Sequence, residues 1–248
     1  MREQWTFSCA GEVIFGLRAV ERVGLVARRL GVSRALIVSD GQLAAAGLID
    51  RVRQPLEEAG IQAGVFEGGE PEPSTGAVYR CVEAARAGGF DCLVGLGGGS
   101  NIDMAKAAAV LLSHGGNLPD YFGEHQVPGP LLPLIALPTT AGTGSVVTLA
   151  AVITDEERHL KSAILSPYLR PRVAICDPLL TLSCPPKVTA DSGIDALTHA
   201  IECYTAVDYR YLPPLGDESA IYPGKNPLSD TLALRAIELI GRHLRPAV

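Results

Sequence analysis

Three consecutive glycines and a serine, Gly97-Gly98-Gly99-Ser100, follow directly on an apolar run containing Leu93, Val94 and Leu96. Glycine lets a backbone pass very close to a ligand, and a helix start offers unpaired N–H groups and the positive end of a dipole. That pattern suits a phosphate or pyrophosphate; a tight strand-to-helix turn that binds nothing is the alternative. The spacing is not G-x-G-x-x-G, so the dinucleotide fingerprint itself is unmatched. Residues 138–145 are small and polar, and the hydroxyls of Thr139, Thr140 and Ser145 with free backbone amides suit a neutral or anionic ligand, or form a plain turn. A third set, Asp195, Thr198, His199 and Glu202, is spaced i, i+3, i+4 and i+7, on one stripe of a helix. Such a stripe is ordinarily a solvated face. Here Ile194, Ala196, Leu197, Ala200 and Ile201 surround it, and a carboxylate and an imidazole one turn apart can share a metal ion.

These residues need elements to hold them. Residues 34–40 and 134–137 are short apolar runs of the kind found in parallel strands buried on both faces, and residues 62–67 and 172–177 complete the series. Helical patterns over 19–30, 44–59, 77–87 and 102–113 alternate with them, the last opened by Ser100 or Asn101 as N-cap. Strands and helices in this alternation predict an α/β fold with a doubly wound, Rossmann-like parallel sheet. Asp40 then lies at the carboxyl end of a strand, where nucleotides bind in open sheets, and it can accept both ribose hydroxyl protons or simply cap the next helix. Residues 5–16 read as an edge hairpin, 115–133 as a loop, 146–153 as a strand, and Lys161 as a loop lysine.

Prolines at Cys184-Pro-Pro-Lys187 mark a change of domain, predicting a nucleotide-type α/β domain over 1–184 and the start of an all-helical domain over 185–248. Residues 188–206 form its first helix. Residues 207–230 form an irregular connection, and Ser229 or Asp230 caps a second helix. A hydrophobic fraction of 47% with 19% charged residues indicates a well-buried globular chain. The net charge of −6 offers nucleic acid no basic footprint and a membrane no polybasic surface. No apolar run is long enough to span a bilayer and no signal-peptide core opens the chain, so a cytoplasmic protein is expected. The six cysteines form no C-x-x-C pair, and Cys92, Cys176 and Cys203 read as small buried hydrophobes.

Gly-Gly-Gly-Ser100-Asn-Ile-Asp103-Met-Ala-Lys106, Leu137-Pro-Thr-Thr-Ala-Gly-Thr-Gly-Ser145 and Asp191-Ser-Gly-Ile-Asp195-Ala-Leu-Thr-His199-Ala-Ile-Glu202 occur in that order. Together they closely resemble the iron-dependent (group III) alcohol dehydrogenases. The resemblance implies NAD as cofactor, Fe²⁺ or Zn²⁺ as metal, and a small alcohol, aldehyde or hydroxy acid as substrate, in a cytoplasmic homodimer. It implies that Gly97, Gly98, Gly99 and Ser100 hold the pyrophosphate, that Thr139 and Thr140 line the nucleotide's inner side with Ser145 also binding the cofactor, and that Asp103 and Lys161 assist. Residues 177–182, ending at Leu182, would wall the cofactor cleft. Asp195 and His199 would be two of four metal ligands.

Three departures stand out. Val146 replaces the glutamate usual after Gly-Thr-Gly-Ser. The family's other two ligands and its proton-relay group are histidines further on, and the only later histidine here is His243, read as a surface residue. The chain is therefore expected to stop within the helical domain. Rival readings are the related hydroxyacid-oxoacid transhydrogenases, which the stretch Tyr222-Pro-Gly-Lys-Asn-Pro-Leu-Ser-Asp230 resembles, and a non-catalytic nucleotide-binding fragment. A lyase of the dehydroquinate synthase type shares the glycine motif, but its Asp-Ser-Ser-x-Gly-Gly-Lys signature is absent.

Overall fold

The computed structural model describes residues 1–214 and 221–248. They group into two compact units: Ala10–Thr139 with Ser145–Ser183, and Met1–Cys9 with Thr140–Gly144 and Cys184–Val248.

In chain order the larger unit contains β1 (Val13–Phe15), α1 (Val23–Arg29), β2 (Arg34–Val38), α2 (Gly41–Ala45), α3 (Leu48–Glu58), β3 (Gln62–Phe66), α4 (Thr75–Gly88), β4 (Cys92–Gly97), α5 (Gly99–His114), β5 (Gly123–Glu124), β6 (Leu134–Pro138), β7 (Ala150–Asp155), β8 (Leu160–Leu165) and β9 (Val173–Cys176). Six strands form one parallel sheet in the order β1-β9-β6-β4-β2-β3. The two-residue period of a strand sends Leu36, Val38 and Leu93 to one face, where they pack with α4 and α5. Ala35, Ile37, Cys92, Val94, Leu96, Ile135 and Leu137 go to the other face, with α1 and α3. Both faces are covered, which is why these strands read as unbroken apolar runs. Burying each large aliphatic chain such as Leu36, Leu93 or Ile135 stabilises the unit by roughly 1.5–3 kcal/mol. Helix α5 lies close on β4 because its inner side is alanine and its strand partner is glycine. A Cβ on Gly95 would stand 3.3 Å from both Ala105 Cβ and Ile102 Cα.

Strand β2 neighbours β3 on one side and β4 on the other, so the winding reverses between β2 and β4. Open α/β sheets take their ligands at the carboxyl edge of such a reversal.

Several expected elements differ. Residues 5–16 form no hairpin: only β1 is a strand, it pairs in parallel with β9, and Met1–Cys9 groups with the smaller unit. The helix expected over 44–59 is two, because Gly47 adopts a left-handed φ of 72° between α2 and α3. The loop over 115–133 contains a 3₁₀ turn, Leu118–Tyr121, and β5. The strand expected from Val146 begins at Ala150 and turns back as β8 in an antiparallel hairpin flanked by β5. Lys161 therefore sits on a strand, not in a loop.

The smaller unit contains α6 (Pro186–Thr205) and α7 (Pro227–Ala247). They meet closely at Gly193, where a Cβ would lie 2.2 Å from Leu244 Cδ1. Neither Ser229 nor Asp230 caps α7. Asn226 does, its Oδ1 accepting from the amides of Leu228 and Ser229 at 3.1 Å each, with Pro227 at the first helical position. The 3₁₀ turn Tyr209–Tyr211 and the pairing of Asp208 with Lys225 order part of the connection before it, and Lys225 rests 4.5 Å over the Tyr204 ring. Residues 215–220 of that connection lie outside the described residues. No helix among the described residues is long and apolar enough to cross a membrane.

Candidate nucleotide site and metal-ligand helix

At the reversal between β2 and β4 the glycine turn is shaped by its own neighbours. Gly97 has φ 144°, and a Cβ there would lie 2.2 Å from Asn101 Nδ2, so only glycine fits. Gly98 is extended (φ −71°, ψ −176°) and is itself the N-cap residue, so α5 begins at Gly99, earlier than a polar cap at Ser100 or Asn101 would place it. The helix has no acidic residue in its first turn and no side chain capping it, which leaves its amides for an anion beside half-buried Ser100. The Thr139 amide donates to Gly97 O at 3.0 Å, laying the end of β6 against this turn with Thr139 buried.

Asp40 stands beside it. Its Oδ1 accepts from the amides of Gln42 and Leu43 at 2.9 and 3.0 Å, capping α2, while Oδ2 accepts from Asn101 Nδ2 at 2.7 Å. A carboxylate offers about four acceptor positions, and three are taken. Capping and ligand binding are thus not alternatives here, but Asp40 has room for one ribose hydroxyl, not the two expected. Asn101 was anticipated only as a possible cap. It is 3% exposed and also donates to Leu96 O at 3.2 Å.

Asp103 is engaged within the protein. Its Oδ1 accepts from Ser145 Oγ at 2.5 Å and its Oδ2 from the Val152 amide at 3.0 Å, so it ties the end of the 138–145 loop and β7 to α5. Val146, in place of a carboxylate, is buried in a small apolar cluster with Ile102, Ala136 and Ala174. The exposed ammonium of Lys161, at the start of β8, pairs with Glu72 at 2.7 Å. Leu182 is 77% exposed. Asp177 is buried, caps a 3₁₀ turn through Leu179 N at 2.9 Å, and accepts from Val20 N at 3.2 Å. Thr140 falls in the smaller unit, where Gly142 packs so closely on Ser192 that a Cβ would lie 2.7 Å from its Cβ.

Within the smaller unit, Asp195 and His199 share one side of α6, with Nε2 and Oδ1 3.8 Å apart and both side chains about half exposed. Ile194 and Ile201 are exposed on the same helix. The donors suit a divalent first-row metal, but no group of three or more His, Cys, Asp or Glu able to share an ion occurs among the described residues. His243 is exposed on α7, as expected.

The family model of iron-containing alcohol dehydrogenases matches residues 10–178. The chain belongs to that family. It is 41% identical over 236 residues to long-chain-alcohol dehydrogenase 1 of Geobacillus thermodenitrificans, covering 94% of this chain and 55% of that protein. Among solved structures it is similar to a 1,3-propanediol oxidoreductase (TM-score 0.90, 36% identity, 99% of this chain and 60% of that one). It is also similar to the sulfoacetaldehyde reductase of Bifidobacterium kashiwanohense in complex with NAD⁺ (TM-score 0.85, 32% identity, 99% and 61%). The chain thus spans a little over half the length of the proteins it matches.

Proposed function

We propose that this chain is the nucleotide-binding part of an NAD-dependent, metal-assisted dehydrogenase acting on a small alcohol, aldehyde or hydroxy acid. The observation that carries the reading is the convergence of Asp40, Asn101, the Gly97–Gly99 turn and Thr139 at the sheet reversal, in a chain of the iron-containing alcohol dehydrogenase family. The amides of Gly99, Ser100 and the following turn hold the pyrophosphate, and the free acceptor position of Asp40 takes a ribose hydroxyl. Lys161 adds a positive charge that can exchange Glu72 for the nucleotide. Asp195 and His199 contribute two donors to a metal. When bound, NAD accepts hydride and a divalent ion polarises the alcohol oxygen. Iron is favoured by the family; the donor set also suits zinc. Two similar proteins named above, a 1,3-propanediol oxidoreductase and a sulfoacetaldehyde reductase, support the substrate class.

Dimerisation and a cytoplasmic location belong to the same reading, the former supported by exposed Val13 and Phe15 on edge strand β1. Hydrogen exchange on the 248-residue chain with and without NAD⁺ tests the proposal. Slowed exchange at residues 97–102 and 40–43 is expected. Unaltered exchange there at a saturating NAD⁺ concentration would remove its basis.

A further inference from the structure

The amide of Asn101 is lodged between two glycines. A Cβ on Gly97 would lie 2.2 Å from its Nδ2, and one on Gly69 would lie 2.2 Å from its Oδ1. Both glycines keep open a space that this one side chain fills. From there Asn101 spends both amide hydrogens, one on Leu96 O at the end of β4 and one on Asp40 Oδ2 at the end of β2, so it bridges the two strands between which the sheet reverses. Gly69 is in turn held by Ser39, whose carbonyl accepts its amide at 2.9 Å, next to Asp40.

The bridge has a consequence for Asp40. The cap on α2 uses Oδ1 alone, and a carboxylate held by one oxygen still turns about its Cβ–Cγ bond. The bond from Asn101 pins the second oxygen and fixes where its remaining lone pair points. At 2.7 Å it has the length of a charge-assisted hydrogen bond. We infer that Asn101 is the positioning residue that sets nucleotide specificity: by clamping Asp40 Oδ2 to the β4–α5 turn, it aims one carboxylate lone pair at a ribose 2′-hydroxyl and holds the negative charge where a 2′-phosphate would sit. The ligand class is an adenosine dinucleotide without a 2′-phosphate. This rests on Asp40 facing the ribose, as proposed above, and adds that Asp40 discriminates only while Asn101 holds it.

Equilibrium titrations of the 248-residue chain with NAD⁺ and NADP⁺ test it, on the wild type, Asn101→Ser, Asp40→Gly and the double variant. A serine is too short to reach Asp40. Asn101→Ser is expected to lower the preference for NAD⁺ over NADP⁺ about tenfold, the worth of one charge-assisted hydrogen bond. In the Asp40→Gly background the same substitution should leave the ratio unchanged, because no carboxylate remains to aim. If Asn101→Ser does not fold, Asn101→Thr fills more of the space and carries the same expectation. An unchanged ratio in the single variant, or an equal change with and without Asp40, overturns the assignment while leaving nucleotide binding in place. If the wild type itself shows no preference, the ribose-facing role of Asp40 fails and this inference with it.

Discussion

The ammonium of Lys106 lies 3.9 Å from the carboxylate of Asp103, one turn apart on α5, and its side chain is completely buried. Its three hydrogens have acceptors at Thr148 O (3.1 Å), Thr148 Oγ1 (3.1 Å) and Ala150 O (2.7 Å). Burial outweighs attraction for both groups. It pushes Lys106 down to about 8, opposed by Asp103 and helped by Arg170. It also raises Asp103, opposed by Lys106 and by the bonds from Ser145 and Val152. The pair thereby fastens the stretch leading into β7 to the helix that starts at the glycine turn.

Lys106→Met should destabilise the chain by about 2–4 kcal/mol, since two half-buried carbonyls and a hydroxyl lose their donor and Asp103 loses its counter-charge. Because the folded-state value of Lys106 is depressed, the folded chain gives up this proton before the unfolded chain does. The lysine's contribution to stability therefore increases between pH 8 and the ordinary lysine range near 10.5, and is lost as pH falls through 8. Urea melts of both proteins at pH 7.5 and 10 should show the gap widening at the higher pH. A gap that narrows would contradict the assignment.

Gly97 and Gly98 should separate stability from binding. Gly97→Ala forces a side chain into a left-handed φ and against Asn101, costing about 2 kcal/mol or more, visible as a lowered melting temperature. Gly98 has dihedrals open to any residue, so Gly98→Ala should melt nearly as the wild type does while its added methyl weakens nucleotide binding. Equal melting of the two variants would refute the distinction.

Metal binding by this chain should be weak and should depend on α6. Asp195 and His199 provide two donors, whereas zinc and iron sites normally draw three or more from protein. Calorimetric titration with Zn²⁺ should give shallow binding that His199→Ala abolishes. Tight stoichiometric binding, or binding indifferent to His199, would mean that the ion is held elsewhere.

The central sheet was legible because both its faces are buried, so β2, β4 and β6 each appear as uninterrupted apolar runs. Strand β7 falls largely within the strand expected over 146–153, but β8 was not legible, since a half-exposed strand carrying Leu160 and Lys161 shows no such run. Asn226 was missed as a cap although the signal was present: an asparagine immediately before a proline at a helix start. The early start of α5 was missed because a search for polar caps passes over glycine. Asp40 and the glycine turn could be found from strand ends alone. What joins them could not, because the bond from Asn101 crosses 61 residues and nothing local distinguishes that asparagine from a solvated one.

The most direct test of the nucleotide assignment is the ratio of NAD⁺ to NADP⁺ affinity in the wild type and in Asp40→Gly. The carboxylate accepts from a 2′-hydroxyl and repels a 2′-phosphate, so the wild type should prefer NAD⁺, and its removal should raise the relative affinity for NADP⁺ roughly tenfold or more. No binding of either nucleotide by the wild type, or a ratio that Asp40→Gly leaves where it was, would contradict a dinucleotide site at the junction of β2 and β4.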